Sequence, residues 1–381
     1  MKRLYSIDVL RGMALAGMIL VNNPGSWSHI YTPLEHAPFV GLTLADLVFP
    51  TFMFVMGFCI PLSLRKYQFQ ASAQAFGRIA RRTLLIFGIG LFLQWMSNGW
   101  CDWEHLRIPG VLQRLALCYG LCATLLLVSK RLVSITPIVL ILIGYAILLF
   151  LCHGHEWSEE NIVARVDHYL LGANHLYVDE GIRLDPEGIL STLPSLAHVM
   201  LGAWLSMLFM GETTIKTFRW KRKNNSVETD TILSLSSTDN RMPQIKYLLG
   251  LAFTLITIAL SMHLDGFPII KKVWTSSFVL ITTGIASGVL AILMWLFDVK
   301  KWSGWWSQWF VVFGRNPLLI YVISWVLACW FGQWGITWNI YQWCSQWCSP
   351  CMTSLIYALL FVCFNWLIAF ILYKGKVKFS A

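Results

Sequence analysis

The stretch Leu34–Gly57, "LEHAPFVGLTLADLVFPTFMFVMG", decides the fold. From Leu44 onward it opens an apolar run of the roughly 20 residues needed to cross a bilayer as a helix. Its first half is different: Glu35 and His36 stand side by side, and Asp46 sits at the mouth of the apolar run. Thr43 can cap the helix with Asp46 three residues on, a capping box with Asp in the usual place of Glu. The same carboxylate can orient the His36 imidazole. A lone histidine is ordinarily structural, and His36 has no metal-ligand partner at helical spacing, so spacing leaves its role open between packing and catalysis. His29 lies in the same loop.

The rest of the chain has the same apolar character. Of 381 residues, 57% are hydrophobic and 13% charged, where soluble domains carry about 25% charged residues. The 20 Trp suit membrane–water interfaces. The net charge of +10 is no nucleic-acid signature, because the Lys and Arg residues fall in short segments between apolar runs. Most cysteines lie inside those runs and read as small hydrophobes. Cys344, Cys348 and Cys351 in "CSQWCSPC" leave a disulfide, free thiols or a metal site open, though no matching ligand cluster is nearby.

The fold class this predicts is an all-α integral membrane protein with about ten transmembrane helices. The candidate spans are about 7–24, 43–64, 80–97, 109–129, 133–152, 188–210, 246–263, 273–297, 306–331 and 352–373. The N-terminal "MKRLYSIDVLRGMALAGMILV" imitates a secretory signal, but no cleavage site follows, so it is expected to stay as the first span. Most Lys and Arg, including Arg65, Lys66, Arg78, Arg81, Arg82, Lys130 and Arg131, then fall on one side. By the positive-inside rule both termini are cytoplasmic. The outer side holds few cations: Arg107, Arg165, Arg183, Lys271 and Lys272. An outer loop is expected at about 153–187 and a polar cytoplasmic linker at about 211–245. The whole chain, 1–381, reads as one polytopic membrane domain.

Polar groups inside apolar runs mark cavities or partners. Asp8 and Arg11 share a helix face, as an ion pair or with Arg11 lining an anionic-ligand site. Asn22, before "NPGSW", is either a helix stop or an amide donor aimed at a reacting carbonyl. "IPGVLQRLALCY" brings Gln113 and Arg114 to the outer end of the fourth span. "LDPEGILSTLPSL" puts Asp185 and Glu187 before the sixth, where acids suit a helix N-terminus. "FGRNPLLIYVIS" sets Arg315 and Asn316 ahead of Pro317, and proline frees a backbone carbonyl and bends a helix. No phosphate loop, dinucleotide fingerprint, zinc-protease motif or nucleophile elbow is present in the sequence.

"SIDVLRGMALAGMILVNN" followed by "EHAPFVGLTLADLVFPTFMFVMG" resembles the transmembrane acetyltransferases related to heparan-alpha-glucosaminide N-acetyltransferase. "PGVLQRLALCY", "DPEGILSTLPSLAHVMLG", "KKVWTSSFVL" and "FGRNPLLIYVIS" continue the likeness in order to about residue 330. The resemblance implies acetyl transfer from cytosolic acetyl-CoA to the amine of glucosamine or a glucosaminide on the far side of a bacterial inner membrane. It assigns His36 and Asn22 to catalysis, with Asp46 orienting the imidazole. Asp8, Arg11, Gln113, Arg114, Glu187, Arg315 and Asn316 are then expected to bind substrate or CoA. No metal is implied; membrane lipid surrounds the protein, and a homodimer is possible. The gap between Asn22 and His36 is longer than in the animal enzyme, and Pro24–Gly25 replaces a glycine run. The animal enzyme's lumenal domain has no counterpart, which favours a mono- or short oligosaccharide acceptor. His36 then acts as general base, or carries a covalent acetyl-imidazole. An envelope O-acetyltransferase and a transporter-like protein are the alternatives.

Overall fold

The computed structural model describes residues 4–100, 103–179, 181–212 and 241–377. Helices α1 (Tyr5–Val21), α2 (Leu44–Leu64), α3 (Ala73–Ser97), α4 (Val111–Val128) and α5 (Ile135–Leu151) come first. They are followed by α6 (Ile162–Leu171), α7 (Thr192–Met210), α8 (Met242–Leu264) and α9 (Ser276–Leu293), the last continued by a π-helical turn, Met294–Val299. α10 (Trp305–Arg315), α11 (Pro317–Gln333), α12 (Ile336–Ser345) and α13 (Pro350–Lys374) complete the chain. Among the described residues there is no sheet, only the isolated bridges Val40–Ile270 and Asp179–Ile182. Helices are the expected answer for apolar segments, since each satisfies its own backbone in lipid.

The long helices coincide with the ten apolar stretches, with three adjustments. α3 begins at Ala73, so Arg78, Arg81 and Arg82 ride on its first turns rather than in a loop; Ser72 caps it by accepting from the Ala75 N–H. The run 306–331 is two helices bent by 83° at Asn316, because Pro317 has no N–H to continue the ladder. The linker expected at 211–245 falls mainly on 213–240, outside the described residues, and its last residues, 242–245, form the first turn of α8. Among the described residues six helices are long and apolar enough to cross a membrane, or seven with the bent α10–α11 pair, fewer than the ten spans expected; α1 and α5 have 17 residues each.

α2 and α7 form the centre of the bundle. A Cβ at Gly57 would strike the Val199 carbonyl, and one at Gly202 the Phe54 carbonyl. Backbone contact of this kind is how helices pack when lipid offers no hydrophobic drive. At one end of the bundle the loop before α2 is tied to the loop before α9: the Gly41 N–H donates to the Ile269 carbonyl at 2.9 Å. The Tyr145 hydroxyl donates to the Val273 carbonyl at 2.7 Å, fixing the same loop to α5. Trp274 beside it has φ of 54°, an uncommon value for a bulky residue. Its fully buried ring, wedged between Phe49, His198 and Phe278, holds it there.

Candidate active site

His36 reaches its position through a short 3-10 turn, Thr32–Leu34, and an extended Glu35. The Asp46 side chain, 0% exposed, holds the loop and helix together through both oxygens. Oδ2 accepts from the Ala37 N–H at 3.1 Å, the Thr43 N–H at 3.2 Å and the Thr43 hydroxyl at 3.0 Å. Oδ1 faces His36 Nδ1 at 2.8 Å. Asp46 thus caps α2 and also binds the imidazole: each oxygen has its own task.

A third group completes the centre. Lys271 Nζ lies 3.0 Å from Asp46 Oδ1 and 2.9 Å and 3.4 Å from His36 Nδ1 and Nε2. The His36 side chain is 41% exposed and that of Lys271 16%. Burial pushes the Lys271 ammonium below its ordinary range, against the opposing pull of Asp46. The sequence reading missed Lys271. Its signal was there: a Lys–Lys pair opening an apolar span on the side where cations are scarce.

Glu187 lies close enough to favour the charge on Lys271. It is held by Arg107, whose NH2 donates to Glu187 Oε2 at 2.6 Å and to Asp185 Oδ1 at 2.7 Å. Burial opposes the Arg107 charge, but the two carboxylates keep its pKa above the ordinary value. Behind this shell Arg114 is buried, its NH2 donating to the Gly188 carbonyl and the Ser191 hydroxyl and its guanidinium over the Trp274 ring. Gln113 is also buried, against Gly90 and Gly110. Both point away from the cavity described next. Asn22 ends α1 with its N–H on the Met18 carbonyl. Among the described residues no hydrogen bond joins Asn22 to His36. His29 is exposed, and its ring meets Ser26 of its own loop at 3.4 Å.

A cavity of about 470 Å³ lies between α1, α2, α3, α4 and the α10–α11 break. Along α2 its lining runs from Phe52 to Ser63, about 16 Å at helical rise, and Asp46 stands about 9 Å beyond Phe52. The walls are mostly apolar, with Arg11, Arg82, Arg315, Asn316 and Ser63 among the polar lining. Arg11 donates to Cys59 Sγ at 2.8 Å and pairs with Asp8 at 3.6 Å. Arg82 stacks on Tyr119 at 4.5 Å and Arg315 on Tyr373 at 5.3 Å. Asn316 Nδ2 donates to the Val377 carbonyl at 2.8 Å. Three guanidiniums line this cavity with no carboxylate among the lining residues, a setting for an anion with an apolar arm. The structure therefore brings Arg11, Arg315 and Asn316 to the cavity, with Asp8 outside its lining and paired to Arg11, and His36, Asp46 and, near them, Glu187 to the ammonium–imidazole centre. Among the described residues the cysteines are free, and no group of His, Cys, Asp or Glu is placed to hold a metal.

These features define an integral membrane protein: a helical bundle with a buried carboxylate–imidazole–ammonium centre and an arginine-lined cavity. The model of the family "Heparan-alpha-glucosaminide N-acetyltransferase, catalytic" matches residues 3–239, and the chain belongs to that family. It is 30% identical to heparan-alpha-glucosaminide N-acetyltransferase of Homo sapiens over 98% of its length and 59% of that protein. The enzyme of Mus musculus is 28% identical over 98% of this chain and 60% of its own. The chain thus spans about three-fifths of the length of these curated relatives.

Proposed function

We propose that the protein is a transmembrane N-acetyltransferase that moves an acetyl group from acetyl-CoA to the amine of glucosamine or a short glucosaminide. The observation that carries this reading is the division of His36. Its Nδ1 is engaged by Asp46 Oδ1 at 2.8 Å, which leaves Nε2 on a partly exposed ring to face an acceptor. Arg11, Arg82 and Arg315 would hold the phosphates of CoA, and the apolar wall along α2 its pantetheine arm. The sidedness follows the charge: the Lys- and Arg-rich segments face the cytoplasm, both termini included, in a ten-span domain of a bacterial inner membrane. His36 then faces the opposite compartment.

The chemistry balances without a metal or redox partner. An amine attacks only when unprotonated, and an imidazole is suited to take its proton near neutrality. As the amine nitrogen bonds the thioester carbon, its proton passes to His36 Nε2. The C–S bond then breaks, and the same proton leaves with the CoA sulfur. Asn22, at the end of α1, is placed in this reading as the donor to the tetrahedral oxyanion, a contact worth about 10²–10³ in rate where such donors are lost.

The test is acetyl transfer from labelled acetyl-CoA to glucosamine by protein in sealed vesicles, with His36→Ala beside it. Product is expected only when acetyl-CoA is on the arginine-rich side and the amino sugar on the other, and not with His36→Ala. A wild-type protein that acetylates no amino sugar overturns the function. A fully active His36→Ala overturns the mechanism.

A further inference from the structure

We propose that Lys271 is a positioning residue: it shares Asp46 with His36 and, lying over the ring, opposes the imidazolium, with the ring proton on Nδ1 and Nε2 open to the acceptor. The inference rests on the acetyl-transfer reading for its purpose but on geometry for its content.

Lys271 Nζ is almost as close to Nε2 as to Nδ1, at 3.4 Å and 2.9 Å. A donor in the plane of the ring, bonded to one nitrogen, stands much farther from the other. The ammonium therefore lies over the ring face. The in-plane position at Nδ1 belongs to Asp46 Oδ1. Nδ1–H donates to that oxygen, and Lys271 donates to the same oxygen at 3.0 Å. Asp46 cannot swing to serve one partner alone, because Ala37 and Thr43 fill its Oδ2.

The electrostatic consequence has a definite sign. A carboxylate alone beside an imidazole favours the imidazolium, which cannot accept a proton. An ammonium over the ring opposes the imidazolium and offsets the carboxylate. The other charged groups around the centre are Glu35 on the same loop, Glu187 before α7, and Lys272. Glu187 supports the Lys271 charge and Lys272 opposes it. Lys272 itself is engaged elsewhere, by Asp179 at 2.6 Å and the Trp157 ring at 4.0 Å. The loop leaves Lys271 little freedom: Ile270 pairs with Val40, the Ile270 N–H donates to the Thr275 hydroxyl at 3.0 Å, and the Trp274 N–H donates to the Lys271 carbonyl at 2.9 Å.

The experiment compares wild type, Lys271→Met, Lys271→Gln and Lys271→Arg. Side-chain nitrogen resonances of His36 are followed against pH in ¹⁵N-histidine-labelled, detergent-solubilised protein without substrate. Removing the ammonium is expected to move the His36 titration to higher pH in Lys271→Met, because a like charge beside the ring is lost. Lys271→Gln keeps a donor for Asp46 but no charge and is expected to behave like Lys271→Met, which covers a misfolded Met variant. Lys271→Arg is expected to titrate like the wild type. The acid limb of kcat/KM for acetyl transfer to glucosamine should move by the same interval in the same variants. An unmoved titration in both uncharged variants overturns the proposal, as does a Lys271→Arg shift as large as that of Lys271→Met. A wild type with no acetyl transfer defeats the functional reading instead, and the resonance titration still decides the role of Lys271.

Discussion

Asp46→Asn separates the two tasks of the central carboxylate. Asn keeps one carbonyl oxygen and replaces the other with an NH2 donor. Three donors converge on Oδ2, from Ala37 and Thr43, and the amide oxygen belongs there. Its NH2 then occupies the Oδ1 position, facing His36 Nδ1 and the Lys271 ammonium. Two donors cannot meet at Nδ1, so the imidazole must carry its proton on Nε2. The nitrogen facing the acceptor is then no longer a base. Where a triad carboxylate is replaced this way, the wrong tautomer costs about 10⁴ in kcat, and a loss of about 10³–10⁴ is expected here. The fold should lose little, because the cap of α2 is kept. Asp46→Ala is the contrast. It removes the Asp46 half of the Thr43–Asp46 capping box, about 1 kcal/mol or less, and leaves Lys271 without its carboxylate. A buried charge stripped of its partner costs about 3–5 kcal/mol, and the partial exposure of Lys271 limits that loss to the lower part of the range. The assay is steady-state acetyl transfer, with thermal unfolding in the same detergent. If Asp46→Asn retains a rate within about tenfold of wild type, the tautomer argument is wrong. If Asp46→Asn unfolds as readily as Asp46→Ala, the cap is not what Oδ2 provides.

Three further expectations can be checked on the same preparation. Arg82→Met and Arg315→Met should raise the KM for acetyl-CoA, each by about 10- to 150-fold at 1.5–3 kcal/mol per charged hydrogen bond, with kcat changed far less; an unchanged KM in both removes the anion role of the cavity. Asp167, buried, with Oδ1 accepting from the Ile189 and Leu190 N–H groups, has its carboxyl pushed up to about 6 by burial. Its folded pKa lies above its unfolded one, so the unfolded chain releases the proton first and stability falls as pH rises from about 4 to 6. Asp167→Asn should abolish that slope in the melting temperature, and an identical slope in the variant refutes the assignment. Gly57→Ala should destabilise the α2–α7 contact by about 1–3 kcal/mol through overpacking against the Val199 carbonyl; an unfolding temperature equal to wild type would falsify it.

The helices were legible because membrane spans repeat one simple pattern: most apolar runs of about twenty residues became a helix within a few residues of the expected ends, while α3 starts seven residues early and 306–331 splits at Asn316. What pattern could not show was direction. Gln113 and Arg114 are adjacent to Val111, Leu112 and Leu115, which line the cavity, yet rotation about α4 turns both polar side chains toward α3 and α7. Arg82 reads from sequence as one of several basic inner residues, with Arg78, Arg81, Lys130 and Arg131, that could meet the CoA phosphates, and only the packing of α3 singles it out as cavity wall. Lys271 was hidden by distance in sequence. It meets a histidine and an aspartate more than two hundred residues earlier, and only the pairing of the 40 and 270 loops brings them together.

The break at Asn316 follows from the same economy of charge. A straight helix through 306–331 would carry Arg315 several turns into a bilayer, where a cation at mid-depth costs roughly 2.5–3.5 kcal/mol. Asn316 instead leaves helical geometry, with φ of −133° and ψ of 57°, and Pro317 starts α11 where a missing N–H costs nothing. Arg315 becomes the last residue of α10, where a cation complements the helix dipole. It stacks on Tyr373 of α13 and lines the cavity beside Arg11 and Arg82. Replacing Pro317 with Ala restores the N–H and favours a continuous helix, so it should disturb this charge cluster without touching His36. On the proposed reading Pro317→Ala raises the KM for acetyl-CoA and leaves the His36 titration where it was. A variant that moved the titration instead would place the break in the histidine centre rather than in the anion cavity.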